Sequence, residues 1–268
     1  MMRALDVLET LELLGSGRWG LVTTIQAAEA GVSKMQLSRL TDRGTLHRVR
    51  HGVYALPSAE TGPLQGLHAA WLATGSQPAG NQPLTVVSGE SAAAVHGLGD
   101  LLPSTYEFTT AVRRQTTQPD IRYRKRDLPD DDVIQVDGLP VTTAARTIND
   151  LATGSTDFDH LATVVRDAIS IANVPPLALV RALEPAAERF GVPDGVALLS
   201  AALKATGYQP DLQNLELSPA LRESVLQALA PQLKSAVSEA VAEQLRQLTT
   251  QKERTTKRRP PAGEIGQR

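Results

Sequence analysis

The chain contains no cysteine, which excludes disulfides and thiolate metal sites and fits a reducing cytosol, so a cytoplasmic protein is expected. Aromatic residues make up only 3% of its 268 residues. A core must therefore be built from Leu, Val and Ala, a composition that favours helices. No apolar run approaches the roughly 18 residues that a membrane span needs. The opening stretch MMRALDVLETLELLG carries Asp6, Glu9 and Glu12, which interrupt what a secretory leader keeps apolar.

Catalytic signatures are missing as well. The five histidines, His47, His51, His68, His96 and His160, form no HExxH pair, and there is no GxSxG elbow or GxxxxGK[ST] loop. GSTDFD at 154–159 has the Gly-Ser and paired acids of a phosphoryl-transfer site. Its acids follow too closely for that geometry, and a helix end at Gly154 with a new cap at Ser155, Thr156 or Asp157 accounts for it. Asp130, Asp131 and Asp132 are consecutive and point in different directions, as in a solvated turn. His96 sits at a helix end with no orienting partner in sight, and Arg146 and Asp150 are spaced to pair on one helix face. No enzyme activity, cofactor or metal site is expected.

What is present is unevenly placed charge. The net charge is −2, yet three stretches are basic: Lys34, Arg39, Arg43, Arg48 and Arg50 around 33–51; Arg113, Arg114, Arg122, Arg124, Lys125 and Arg126; and Lys252 to Arg259 in the tail. Concentrated cation on an otherwise acidic chain is the electrostatic mark of a nucleic-acid contact.

The first basic stretch falls on a recognisable grammar. Leu5, Leu8, Leu11 and Leu14 suggest an amphipathic helix. A short helix follows, capped by Thr23 or Thr24 and stopped at Gly31, and a second begins at the N-cap Ser33 with Leu37 and Leu40 facing inward. Thr45–Val49 and Val53–Leu56 are β-prone runs around Arg50-His51-Gly52, a tight hairpin. Three helices and a hairpin make a winged helix-turn-helix, whose second short helix enters the major groove. Ser33, Lys34, Gln36 and Arg39 lie off the Leu37/Leu40 face and are candidate DNA contacts, with Lys34, Gln36 and Arg39 the candidate base readers. Arg43, Arg48, Arg50 and His51 are candidate phosphate contacts. The same shape also serves as a protein-docking module.

PSAETGP at 57–63 reads as a linker. Beyond it the pattern is helix, strand, helix, four strands (YEFTT, IRYRKR, DVIQV, LPVTT), then helices at 144–152, 157–172, 176–190 and 194–206. From Ser218 an apolar stripe (Leu221, Val225, Leu229, Leu233, Val237, Val241, Leu245, Leu248) marks a long helix, kinked or split at Pro231. It either packs on its own domain or offers a partner or self-association surface over 217–248. The polar, basic remainder lacks the apolar content to fold. The expected fold class is α+β: a winged helix-turn-helix at 1–57, a mixed α/β domain with a small sheet at 64–206, a long amphipathic helix at 216–248 and a disordered tail at 249–268.

The stretch GLVTTIQAAEAGVSKMQLSRLTDRGTLHRVRHGVYAL resembles the N-terminal winged helix of the AbiEi family of type IV antitoxins, with its Gly-Val-Ser helix entry, RG-x-L-x-RV turn and GVY-A-L strand. SGESAAAVHGLGDLLP, GLPVTTAARTINDLA and VPPLALVRALEPAAERFGVPDG follow in the family's order, so the resemblance covers roughly 15–205. It implies a repressor that binds inverted repeats in double-stranded DNA of its own promoter, and a second domain that counters a nucleotidyltransferase-like toxin. A solitary regulator with no toxin partner is the variant of that reading. The run from Arg113 to Arg126 either extends the DNA footprint or meets an acidic toxin surface.

Overall fold

The computed structural model describes residues 4–75, 85–100 and 103–208. The amphipathic helix and tail expected at 216–248 and 249–268 lie outside the described residues. Residues Met1–Gln209 form one compact unit. The unit is mixed α+β with two small sheets, and among the described residues no helix is long and apolar enough to cross a membrane.

Helix α1 (Ala4–Gly15) is followed by a short strand β1 (Leu21–Thr23), two short helices α2 (Thr24–Glu29) and α3 (Lys34–Asp42), and a hairpin of β2 (His47–Arg50) and β3 (Val53–Ala55). β3 lies between β1 and β2 in a three-stranded antiparallel sheet. Val7 and Leu11 of α1 close over Val22, Ala27, Val32, Leu37, Leu40, Leu46 and Leu56. The buried face of α1 thus runs through Val7, Leu11 and Leu14, at i, i+4 and i+7, and Leu5, expected on that face, is 82% exposed.

Helix α4 (Gln65–Ala73) leads to a five-stranded sheet of β4 (Val86–Val87), β5 (Tyr106–Thr110), β6 (Ile121–Lys125), β7 (Val133–Val136) and β8 (Leu139–Thr142), in the order β6-β5-β4-β8-β7. Helix α5 (Gly89–His96) follows β4. Helices α6 (Ala144–Thr153), α7 (Phe158–Ser170), α8 (Pro176–Leu183) and α9 (Gly195–Ala205) build a second core around Ile148, Leu161, Val165, Leu179, Leu183 and Leu198. Asp157 caps α7 by accepting from the His160 amide at 2.9 Å, so GSTDFD is a helix junction. His96 Nε2 donates to the Thr142 carbonyl at 2.7 Å, tying the end of α5 to β8.

The two sheets share a core. Leu21, Val53 and Ala55 of the first pack with Leu67 and Trp71 of α4 and with Val87, Phe108 and Val141 of the second. Trp19 reinforces this joint: its ring stacks on His68 at 4.0 Å and 6°, and its Nε1 donates to the Asp137 carbonyl at 2.9 Å. Both Trp19 and Asp137 hold positive φ, 55° and 47°, a conformation that side-chain-bearing residues seldom adopt. The stretch at 57–63 is exposed except at Ala59, which packs on the shared core. Residues 57–63 are therefore a strap across joined parts, where composition alone reads a linker.

Candidate nucleic-acid interface

The α2–α3 pair is fixed by two reciprocal caps. Thr23 Oγ1 accepts from the Gln26 amide while Gln26 Oε1 accepts from the Thr23 amide. Ser33 and Gln36 repeat the arrangement at α3, with Gln36 Oε1 accepting from both the Ser33 amide (2.9 Å) and its hydroxyl (2.8 Å). Between the helices Gly31, at φ +83°, turns the chain at little steric cost, and Val32 drops into the core. This is a capping box in each helix, worth about 1 kcal/mol apiece. It also corrects an expectation: the side-chain oxygens of Ser33 and Gln36 are engaged in holding the helix start.

Burying Leu37 and Leu40 turns Lys34, Met35, Ser38, Arg39 and Asp42 outward. Lys34 and Arg39, two of the candidate base readers from the sequence, are thus exposed on this face. Met35 and Ser38 share that face and were missed there, because an inventory of charged and amide side chains passes over them. Arg43 is exposed just beyond the helix.

The hairpin turns at Gly52, φ +76°. Arg48 pairs with Tyr54 but Arg50 with Val53, a register shift that inserts an extra residue at Val49. Such a bulge re-aims neighbouring side chains. Arg48 points to solvent and its Nη2 donates to His51 Nδ1 at 2.8 Å. Arg50 turns the other way. Its side chain is 11% exposed, its Nη2 donates to Asp120 Oδ2 at 2.9 Å and to Gln118, and its guanidinium lies 5.9 Å from the centre of the Tyr106 ring. Arg50 thus ties the hairpin to the second sheet, contrary to the free phosphate contact expected from sequence. His47, exposed on β2, is a further group on the open side.

The second basic run is mostly consumed internally. Arg122 and Arg124 on β6 both pair with buried Glu107 on the adjacent β5, at 3.3 and 2.9 Å. Arg126 pairs with Asp150, which also accepts from Arg146 Nε at 3.0 Å, and Arg146 reaches Asp132. Arg114 donates to Thr85 Oγ1 and to the Thr74 carbonyl, both at 2.9 Å. Arg113 and Lys125 are exposed, with no ion pair among the described residues. The structure therefore disperses this run: of its six cations, two stand clear of internal partners.

Among the described residues no group of three or more histidines or acids gathers as a metal site. Two histidines are perturbed. Burial holds the His68 imidazole below its ordinary 6.5, against the pull of Asp137. Burial also lowers His96, opposed by its bond to the Thr142 carbonyl.

Comparison with known families follows this division of the chain. A family model described as a transcriptional regulator, AbiEi antitoxin, matches residues 9–57. A second, described as the AbiEi antitoxin C-terminal domain, matches residues 85–192. The chain matches no curated protein. The first match covers the capped helix pair and hairpin, the second covers β4 through α8 and the turns after it, and together they span more than half of the sequence: the chain belongs to the AbiEi family of antitoxins and transcriptional regulators.

Proposed function

We propose that the segment from α1 to β3 is a winged helix-turn-helix that represses the chain's own promoter, and that the α+β part neutralises a nucleotidyltransferase-like toxin, as in a type IV toxin–antitoxin pair. The observation that carries the DNA reading is the outward face of α3. Lys34, Ser38 and Arg39 stand opposite buried Leu37 and Leu40, flanked by exposed Arg43, His47, Arg48 and His51. In this arrangement Lys34 and Arg39 meet base edges, Arg39 suiting guanine N7 and O6. Arg43, Arg48 and His51 meet phosphates. Ser33 and Arg50 are left out, because their side-chain groups are spent on the cap and on Asp120, and Gln36 is set aside as a two-pronged adenine reader because the cap takes its carbonyl oxygen. Operator inverted repeats then require two chains related by a two-fold axis.

The reading is non-enzymatic. Two of the acids in the stretches weighed for chemistry have structural work: Asp157 of GSTDFD caps α7, and Asp132 of the acidic turn receives Arg146.

The test is fluorescence anisotropy of the full chain on its own upstream DNA against a scrambled duplex across a salt series. Tighter binding to the upstream duplex, abolished by Arg39→Ala, is the expected result. Equal binding to both duplexes would overturn the DNA reading. For the toxin half, co-expression of the adjacent gene with and without this chain reads growth directly, and growth arrest unrelieved by the chain would overturn neutralisation.

A further inference from the structure

Met35 is a large apolar side chain left 62% exposed on the first turn of α3. It has no place in the core that Leu37 and Leu40 help to build. Among the described residues its polar contact is with Arg39, whose Nη2 donates to Met35 Sδ at 3.4 Å. Residues four apart lie on the same side of a helix, so thioether and guanidinium form a single adjoining surface. The carbonyl oxygen of the neighbouring Gln36 is turned back to the cap at Ser33, while Met35, Ser38 and Arg39 are exposed together on this face.

We infer that Met35 is a specificity-determining residue of the DNA contact, packing on the 5-methyl group of a thymine beside the guanine held by Arg39. This rests on the reading of α3 as the groove-entering helix. The chemistry follows from the two groups. Arginine grips guanine through two acceptors, and the thymine methyl is the one apolar mark in the major groove, met by apolar side chains. Met35 and Arg39 are separated by about 6 Å along the helix axis and base pairs are stacked about 3.4 Å apart, so their contacts fall within a step or two of each other. The thioether is unbranched and adaptable, suited to a flat methyl-bearing base edge. It also rests against the guanidinium, holding Arg39 on the reading face before DNA arrives.

The experiment selects the preferred duplex from a random library with the full chain. Each thymine in it is then replaced in turn by deoxyuridine, which removes only the methyl group, and anisotropy is measured for the parent, Met35→Ala and Met35→Leu. Circular dichroism confirms that both variants are folded, as expected at so exposed a position. One thymine should lose about fourfold in affinity on demethylation with the parent and with Met35→Leu, the size expected for one buried methyl group. Met35→Ala should bind the methylated and demethylated duplexes alike. A selected duplex on which parent and Met35→Ala discriminate thymine from deoxyuridine equally overturns this inference while leaving DNA recognition intact. Failure of the parent to enrich any duplex overturns both.

Discussion

Replacing Arg50 by alanine separates two roles that are equivalent on paper. Arg48 and Arg50 sit two apart on one strand, and both invite assignment to phosphate. The structure gives Arg50 charge-assisted bonds to Asp120 at 2.9 and 3.0 Å, a bond to Gln118, and a place above Tyr106. A hydrogen bond to a charged group contributes about 1.5–3 kcal/mol, and a partly shielded cation–π contact about 0.5–1 kcal/mol. Against this, Asp120 is 42% exposed and screened by water, and the buried Arg50 Nε has no partner. The net loss on Arg50→Ala is about 2 kcal/mol, which for a domain of this size class lowers the melting temperature by about 4–8 °C. The salt dependence of DNA binding should keep its slope. Arg48→Ala should do the reverse: unchanged melting, and a slope smaller by about 0.9, one phosphate contact. Scanning calorimetry and anisotropy across salt on the two variants read both quantities. Unchanged melting for Arg50→Ala together with a reduced slope would show that Arg50 faces DNA, and the account of the bulge at Val49 would fall.

Other perturbations test the frame around that joint. Gly20→Ala places a Cβ 2.3 Å from the Ala59 Cα, whereas Gly31→Ala meets nothing within 4 Å. Both have positive φ, so Gly31→Ala should cost about 1 kcal/mol and Gly20→Ala clearly more; equal melting temperatures would contradict the packing of the strap. Asp150→Ala removes a 4%-exposed carboxylate that receives Arg146 and Arg126, leaving Arg146 to Asp132 and the 45%-exposed Arg126 to water, and should cost about 2 kcal/mol by urea titration; a neutral result would mean that the cluster is not closed in solution. For pH, folded His68 and His96 take up protons less readily than the unfolded chain does at its ordinary 6.5. Below that value the unfolded state binds more protons, so stability falls as pH drops through 6.5 until the folded rings protonate as well. Urea midpoints that do not fall on acidification, or that fall just as steeply in His68→Gln, would remove His68 from this account.

How much of this was legible in the sequence depended on the reach of the interactions. Caps at Thr23, Ser33 and Asp157 are local, involving a partner three residues away, and the residue order displays them. The strands at 106–110, 121–125, 133–136 and 139–142 were readable from β-prone runs. Strand β1 was missed because three residues, Leu21–Thr23, are too few to show a period. Non-local pairing was invisible. Nothing in RYRKR reveals that Glu107 lies on the next strand or that Asp150 awaits Arg126, so a run of cations looked like one surface. The α3 face was half legible: Lys34 and Arg39 announce themselves by charge, while the engagement of Gln36 and the exposure of Met35 follow only from the cap and the packing of Leu37.

The core shared by Leu21, Val53 and Ala55 with α4 and the second sheet bears on how such proteins can be cut and recombined. The two family matches end and begin on either side of 58–84, which invites an exchange of N-terminal halves at that gap. A cut there strips Trp19, Leu21 and Val53 of their cover on one fragment and bares Leu67, Trp71 and Phe108 on the other. Contiguous apolar surface of that kind promotes aggregation. The portable cassette would therefore have to carry the matching α4 surface with it, and, on the proposed reading of α3 as the DNA-contacting helix, new operator preferences are more readily acquired by changing its side chains than by trading the whole N-terminal half.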